Sequence, residues 1–177
     1  MDINVAPIHL SNSALLNDIL AELSHRFNCQ VNLIELEINI ESAFSIERKQ
    51  FFSTQLLANA INLSGNINGK ILLLTEFDLF VPALTFVFGE AQLNGKHSIV
   101  SLCRLHEEFY SGTSNYKILL ERALKEILHE LGHNYGLKHC QNWDCVMHAS
   151  LSIEEVDIKG DKYCKTCAAS VEGYKIL

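Results

Sequence analysis

Apolar residues recur along this chain with two periods, and the switches between them mark out its elements. Ile3, Val5, Ile8 and Leu10 form a short β-compatible run, which predicts a first strand over 3–10. Leu15, Leu16, Ile19, Leu20 and Leu23 then return at helical spacing as far as Phe27, with Ser11 or Ser13 placed to cap the segment. Over 30–40 the pattern changes to alternation. Val31, Leu33, Leu36, Ile38 and Ile40 stand against Asn32, Glu35, Glu37 and Asn39, a strand with one wet face. Phe51, Phe52, Leu56, Leu57, Ala60 and Ile61 restore the helical spacing and predict a second helix over 46–63, ended by a loop from Ser64 to Gly69.

Beyond that loop the chain reads as three strands, 70–75, 83–89 and 97–103, the last two joined through the turn signal Asn94-Gly95. A long helix over 116–135 follows. Its core stripe is Leu120, Ala123, Leu124, Ile127 and Leu131, with His129 and His133 on the neighbouring flank and Glu121/Lys125 as a solvated pair. After Gly136 the chain is loop-rich. The sum is an α+β fold: one mixed sheet of about five strands, a backing helix and a long helix. One domain over 1–177 is expected, divided into 1–136, the sheet with its long helix, and 137–177, a coil-rich segment.

Composition narrows the function. A chain of 177 residues can bury a proper core without disulfides. The formal charge is −7 and no basic run stands out, which argues against a phosphate-tracking surface for nucleic acid. Residues 71–88, the most apolar span, are interrupted by Glu76, Asp78 and Pro82, so no membrane helix is expected there. The N-terminal residues have neither the positive start nor the apolar core of a secretory signal. A cytoplasmic monomer is the expectation. In that compartment the six cysteines read as metal ligands or reactive thiols before disulfides.

The chemistry gathers in His129-Glu130-Leu131-Gly132-His133-Asn134-Tyr135-Gly136-Leu137-Lys138-His139. Histidines four apart on a helix are about 40° apart in projection and roughly 6 Å apart in rise, so both rings can reach one ion. Glu130 is placed to handle a metal-bound water without ligating. On a continuing helix His139 would lie too far along the axis to share that ion. Gly136 resolves this, since glycine adopts positive φ, ends the helix and turns the chain back. The bland alternative is a helix with surface histidines. Tyr135 and the remaining histidines, His9, His25, His97, His106 and His148, read as structural.

A second constellation follows. Cys140, Cys145 and the pair Cys164-Lys165-Thr166-Cys167 have the spacing of a closed Cys₄ zinc site, whose role would be to clamp the coil that carries His139. A redox C-x-x-C is the competing reading, without the strand–helix context such a motif normally has. Cys29 and Cys103 read as buried thiols.

Taken together, His129, Glu130, His133, Gly136, His139, Cys140, Cys145, Met147, Cys164 and Cys167 resemble the signature of the archaemetzincins, a metzincin-like metallopeptidase family. Thr85-Phe86-Val87-Phe88-Gly89-Glu90-Ala91-Gln92 is similar to that family as well. The resemblance implies a twisted sheet above a long active-site helix, with the cleft between them. It implies that the strand around 86–91, with Phe86, Val87, Phe88 and Gly89, aligns an extended peptide by main-chain pairing. It makes Met147 an apolar base beneath the metal, and it suggests zinc at the Cys₄ site. The resulting expectation is two Zn²⁺ ions, one catalytic and one structural, and hydrolysis of a peptide or protein. A zinc-stabilised peptide-binding module without turnover is the alternative, and a pure binder has no need of Glu130. A hydrolase of other substrates would use the same residues.

Overall fold

All six residues of Lys70–Thr75 are buried. A strand shielded on both faces belongs at the centre of a sheet between two layers of helix, and the computed structural model, which describes residues 2–175, places it there. In order the elements are β1 (Ile3–Ile8), α1 (Ser13–Arg26), β2 (Val31–Leu33), β3 (Phe44–Ser45), β4 (Gln50–Phe52), α2 (Ser53–Leu63), β5 (Lys70–Thr75), β6 (Leu79–Phe80), β7 (Gly89–Ala91), β8 (His97–Ser101), α3 (Glu108–Ser111), α4 (Tyr116–Asn134), α5 (Ile153–Ile158) and α6 (Lys165–Ala168). The main sheet is five-stranded, ordered β2-β1-β5-β8-β7. Its first four strands are parallel and β7 runs antiparallel along one edge. This is the mixed sheet expected from the sequence.

Successive residues of the central strands serve opposite faces. Val5, Leu72, Leu74 and Val100 pack against Leu15, Ile19 and Leu23 of α1 and Ala123, Ile127 and Leu131 of α4. Ala6, Ile8, Leu73 and Ile99 pack against Leu56, Leu57 and Ala60 of α2. Each such side chain contributes roughly 1.5–3 kcal/mol when fully buried. The first core also takes in Val146, Met147, Val156, Tyr163 and Val171, so residues after α4 share it.

The structure departs from the periodic pattern in several places. Over 30–40 only β2 is a strand. Its last ladder bond is Ile34 N–H to the Val5 carbonyl, after which Ile34, Leu36, Ile38 and Ile40 drape over the α2-side core. Alternation there reports one-sided burial and not pairing. The helix expected over 46–63 begins at Ser53, because Phe51 and Phe52 stack on Phe77 and Phe80 in a small sheet of β3, β4 and β6. The strand expected over 83–89 is mostly bent, irregular chain with an isolated bridge from Val87 to Leu79, and the ladder starts at Gly89. The first and last of the expected strands also stop early, at Ile8 and Ser101.

Details of the helices differ as well. Asn12, not either serine, caps α1, and Asn115 caps α4. Lys125 does not pair with Glu121; its ammonium donates to the Val156 and Asp157 carbonyls, and Lys117 lies 3.9 Å from Glu121. Cys29 and Cys103 are half-buried rather than buried, and desolvation pushes both thiols up, Cys103 to about 11. No helix among the described residues is long and apolar enough to cross a membrane.

Candidate active site

The C-terminal end of α4 is a Schellman motif. Leu137 N–H donates to the Gly132 carbonyl at 3.0 Å and Gly136 N–H to the His133 carbonyl at 2.9 Å, with Gly136 at φ +89°. The turn is fastened to the sheet. Asn134 donates to the Gln92 and His97 carbonyls, and the Lys70 ammonium donates to the Asn134 carbonyl at 2.7 Å, where a cation suits the helix dipole. The chain then doubles back and brings His139 to the other two rings. Centroid separations are 4.7 Å for His129–His133, 5.3 Å for His129–His139 and 5.1 Å for His133–His139. One ring nitrogen from each lies within 4.8 Å of the others.

The donor set fits a metal ion. His129 Nδ1 is 2.9 Å from the Val146 carbonyl and His133 Nδ1 is 2.8 Å from the Leu137 carbonyl. Each Nδ1 therefore carries its ring's proton and leaves Nε2 as a bare lone pair. The two Nε2 atoms are 3.1 Å apart. Lone pairs so placed repel unless a cation lies near both. Desolvation lowers the proton affinity of all three imidazoles, most strongly at buried His129, so the neutral, ligating form is favoured.

Glu130 is buried, and burial first, then the Glu126 carboxylate, hold its carboxyl well above the usual range. It touches the edge strand directly. A Cβ at Gly89 would lie 2.7 Å from Glu130 Cγ and Oε1, so only glycine lets β7 approach this closely. Phe88 O accepts from Ser101 N–H and Gln92 N–H donates to His97 O, which turns the main-chain groups of Gly89 and Ala91 away from β8 to the free edge. Between that edge and α4 runs a cleft of about 810 Å³, lined by Phe86, Val87, Phe88 and Gly89 on one side and by Glu130 and the three histidines on the other. Beneath α4, Met147 is fully buried against Gly132, where a Cβ would meet its sulfur at 2.3 Å. Gly132 was legible only as a variable position of the motif.

Cys140, Cys145, Cys164 and Cys167 form a second group, with sulfurs within 4.8 Å of one another and all four thiols free. Cys164 N–H donates to Cys145 Sγ at 3.3 Å. Hydrogen bonding from the Cys167 backbone lowers the Cys164 thiol to about 7, while burial raises Cys145 and Cys167. A set of converging sulfurs suits a soft or borderline ion such as zinc.

The other candidates stay out of the cleft. Tyr135 stacks on Phe27 with the Lys70 ammonium 4.7 Å above its ring. His97 bonds Ser64 and Gln92, His106 pairs with Glu76, His9 stacks on Phe77 and His148 on Trp143. Two further residues belong to the site without standing out in the sequence: Glu126, which lines the cleft, and Lys159, whose ammonium is 2.7 Å from Glu126. The one signal for Glu126 is its place on the histidine flank, three residues before His129. Nothing local marks Lys159.

The model of peptidase family M54 matches residues 13–173. The chain belongs to peptidase family M54. Among its relatives, the archaemetzincin of Methanocaldococcus jannaschii is 38% identical over 172 residues, spanning 97% of this chain and 93% of the relative. Of the solved structures, an archaemetzincin from Archaeoglobus fulgidus complexed with malonate superimposes with a TM-score of 0.81 at 32% identity, covering 97% of this chain and 100% of that one. A zinc-dependent peptidase from Methanocorpusculum labreanum gives a TM-score of 0.84 at 27% identity, over 96% and 100%. The resemblance read from the sequence therefore holds for family and fold. This M54 member is a zinc metallopeptidase of the archaemetzincin type.

Proposed function

We propose that His129, His133 and His139 hold the catalytic zinc, that Glu130 is the general base and acid of peptide-bond hydrolysis, and that Cys140, Cys145, Cys164 and Cys167 hold a second, structural zinc. The observation that carries this reading is the convergence of three imidazoles, two of them with Nδ1 tied to carbonyls, on one point beside a buried carboxyl. A zinc ion there supplies Lewis-acid polarisation of the scissile carbonyl and acidifies water.

The chain's own residues do the rest. The substrate lies extended along the free edge of β7, pairing with the main chain of Gly89 and Ala91, an alignment that needs no particular side chain. Leu84, Leu93 and Leu151, all exposed at the cleft, favour apolar side chains in the peptide. Glu130 takes a proton from the attacking water and delivers it to the leaving amine, a task suited to a buried carboxyl held above its ordinary range. Met147 gives the histidines an apolar floor, and Gly136 sets the turn that delivers His139. The charge of −7 and the absence of a basic tract support peptides over nucleic acid, and the protein is read as a cytoplasmic monomer.

The test is a peptide-library digest of zinc-loaded wild type and Glu130→Ala, with metal counting. The variant is expected to keep two zinc ions and lose activity by about 10²–10⁴-fold. Equal cleavage by both would remove Glu130 from the mechanism. A wild type that binds but cleaves nothing would favour the peptide-binding module.

A further inference from the structure

Lys159 has a fully buried side chain, and its ammonium is 2.7 Å from the carboxylate of Glu126, whose side chain is 4% exposed. Among the described residues neither Lys159 Nζ nor Glu126 Oε1 makes a directed hydrogen bond, so the contact is a Coulombic pairing. An ion pair buried in this way is weak as a device for stability, since apolar residues of similar volume often serve as well or better. Its place suggests another use. Glu126 lies one turn before His129 and Glu130 on the cleft-facing flank of α4 and lines the same cleft.

The chain goes to some length to put Lys159 there. It follows α5, with its N–H on the Glu155 carbonyl at 3.1 Å. Gly160 N–H donates to the Trp143 carbonyl at 2.8 Å, and a Cβ on Gly160 would stand 2.2 Å from the Asp144 carbonyl oxygen. Only glycine allows the two stretches of backbone to press together there. The segment between Cys140 and Cys145 thus fixes where Lys159 meets Glu126 of α4.

We propose that Lys159 is a positioning residue for the hydrolysis: by holding the Glu126 carboxylate inside the protein it keeps a competing anion off the three-histidine centre and leaves Glu130 to act on the substrate, while the third carboxylate of the cleft, Glu90, is held by the Ser53 and Thr54 hydroxyls. This rests on the reading of Glu130 and the histidines given above. Without the ammonium, Glu126 is a buried, unpaired anion next to a cation-binding cleft. Its relief is to swing toward that cation, which tightens metal binding and obstructs the substrate carbonyl.

The test compares wild type, Lys159→Met, Glu126→Gln and the double variant, as full-length zinc-loaded chains, on a peptide that the wild type cleaves. Lys159→Met is expected to lower kcat about tenfold or more with KM within about twofold. It should also hold its catalytic zinc about tenfold more tightly in competition with a chelator. The double variant, which leaves no buried charge unpaired, should return kcat and zinc affinity to within about threefold of wild type. It carries the test by itself if Lys159→Met does not fold. A double variant no better than Lys159→Met, or one that folds and remains impaired, overturns the proposal, as does an undiminished kcat in Lys159→Met. A wild type without hydrolysis would fail the reading of the active site instead, and the zinc-competition arms would still judge the role of Lys159.

Discussion

The two donor clusters are neighbours in the chain, with His139 and Cys140 adjacent, yet they are built in opposite ways. Two of the three histidines stand on a 19-residue helix locked into the main core, and only His139 comes from coil. The cysteines come from loops and the start of a four-residue helix, and none of them has a long element beneath it. Exposure divides them too. The histidines run from buried His129 to exposed His139 and open on the cleft, whereas Cys145 and Cys167 are buried and the other two half-buried, away from it. A site that must admit substrate takes its rigidity from a helix and leaves one side open. On the reading proposed above, the cysteine cluster surrounds an ion and holds its coil together. It would thereby also place His139, which is only as well held as the loop that bears it.

The strongest way to break this comparison is to unmake the closed cluster. Cys164→Ser is expected to lose one zinc and several kcal/mol of unfolding free energy, roughly in line with coil-rich segments that depend on a structural ion. Activity should fall with it as His139 drifts. Zinc counting and denaturant melts check this, and a variant with two ions and unchanged stability would show that the cysteines clamp nothing. A smaller effect is expected from Gly136→Ala, which strains the backbone at φ +89° by about 1–2 kcal/mol. It should weaken the open site while leaving the cysteine cluster's zinc in place, read by selective chelation and a thermal melt. The smallest is Tyr163→Phe. Tyr163 donates to the Leu128 carbonyl at 2.5 Å and joins the cysteine segment to α4. Its loss is expected to lower stability by about 1 kcal/mol with activity within about twofold. A larger drop in activity would mean that this hydrogen bond, and not an ion, sets the segment.

Both clusters could be read from the sequence because their spacings are short and each residue type has few other uses in that pattern. The His129/His133 interval is a property of the helix itself, and the Gly136 turn is a property of glycine. The strands β1, β5 and β8 and the helices α1 and α4 were legible for a similar reason, since each is periodic over its whole length. Residues 30–40 and 46–52 were misread where tertiary partners decide the outcome. Extended chain alternates with or without a neighbour, and Phe51 and Phe52 suit a helix until Phe77 and Phe80 give them somewhere to stack. Lys159 was beyond reach altogether. Its partner lies on another element, and its position depends on how Gly160 meets the backbone at Asp144.

The contact between Gly89 and Glu130 constrains how this protein can diversify. Because the strand rests on Glu130 with no space for even a methyl group, a new side chain at position 89 would displace β7 and the Glu130 carboxylate together. On the proposed binding mode, selectivity would be retuned farther out along the groove, at Leu84, Leu93 or Leu151, whose exposed side chains leave room for change.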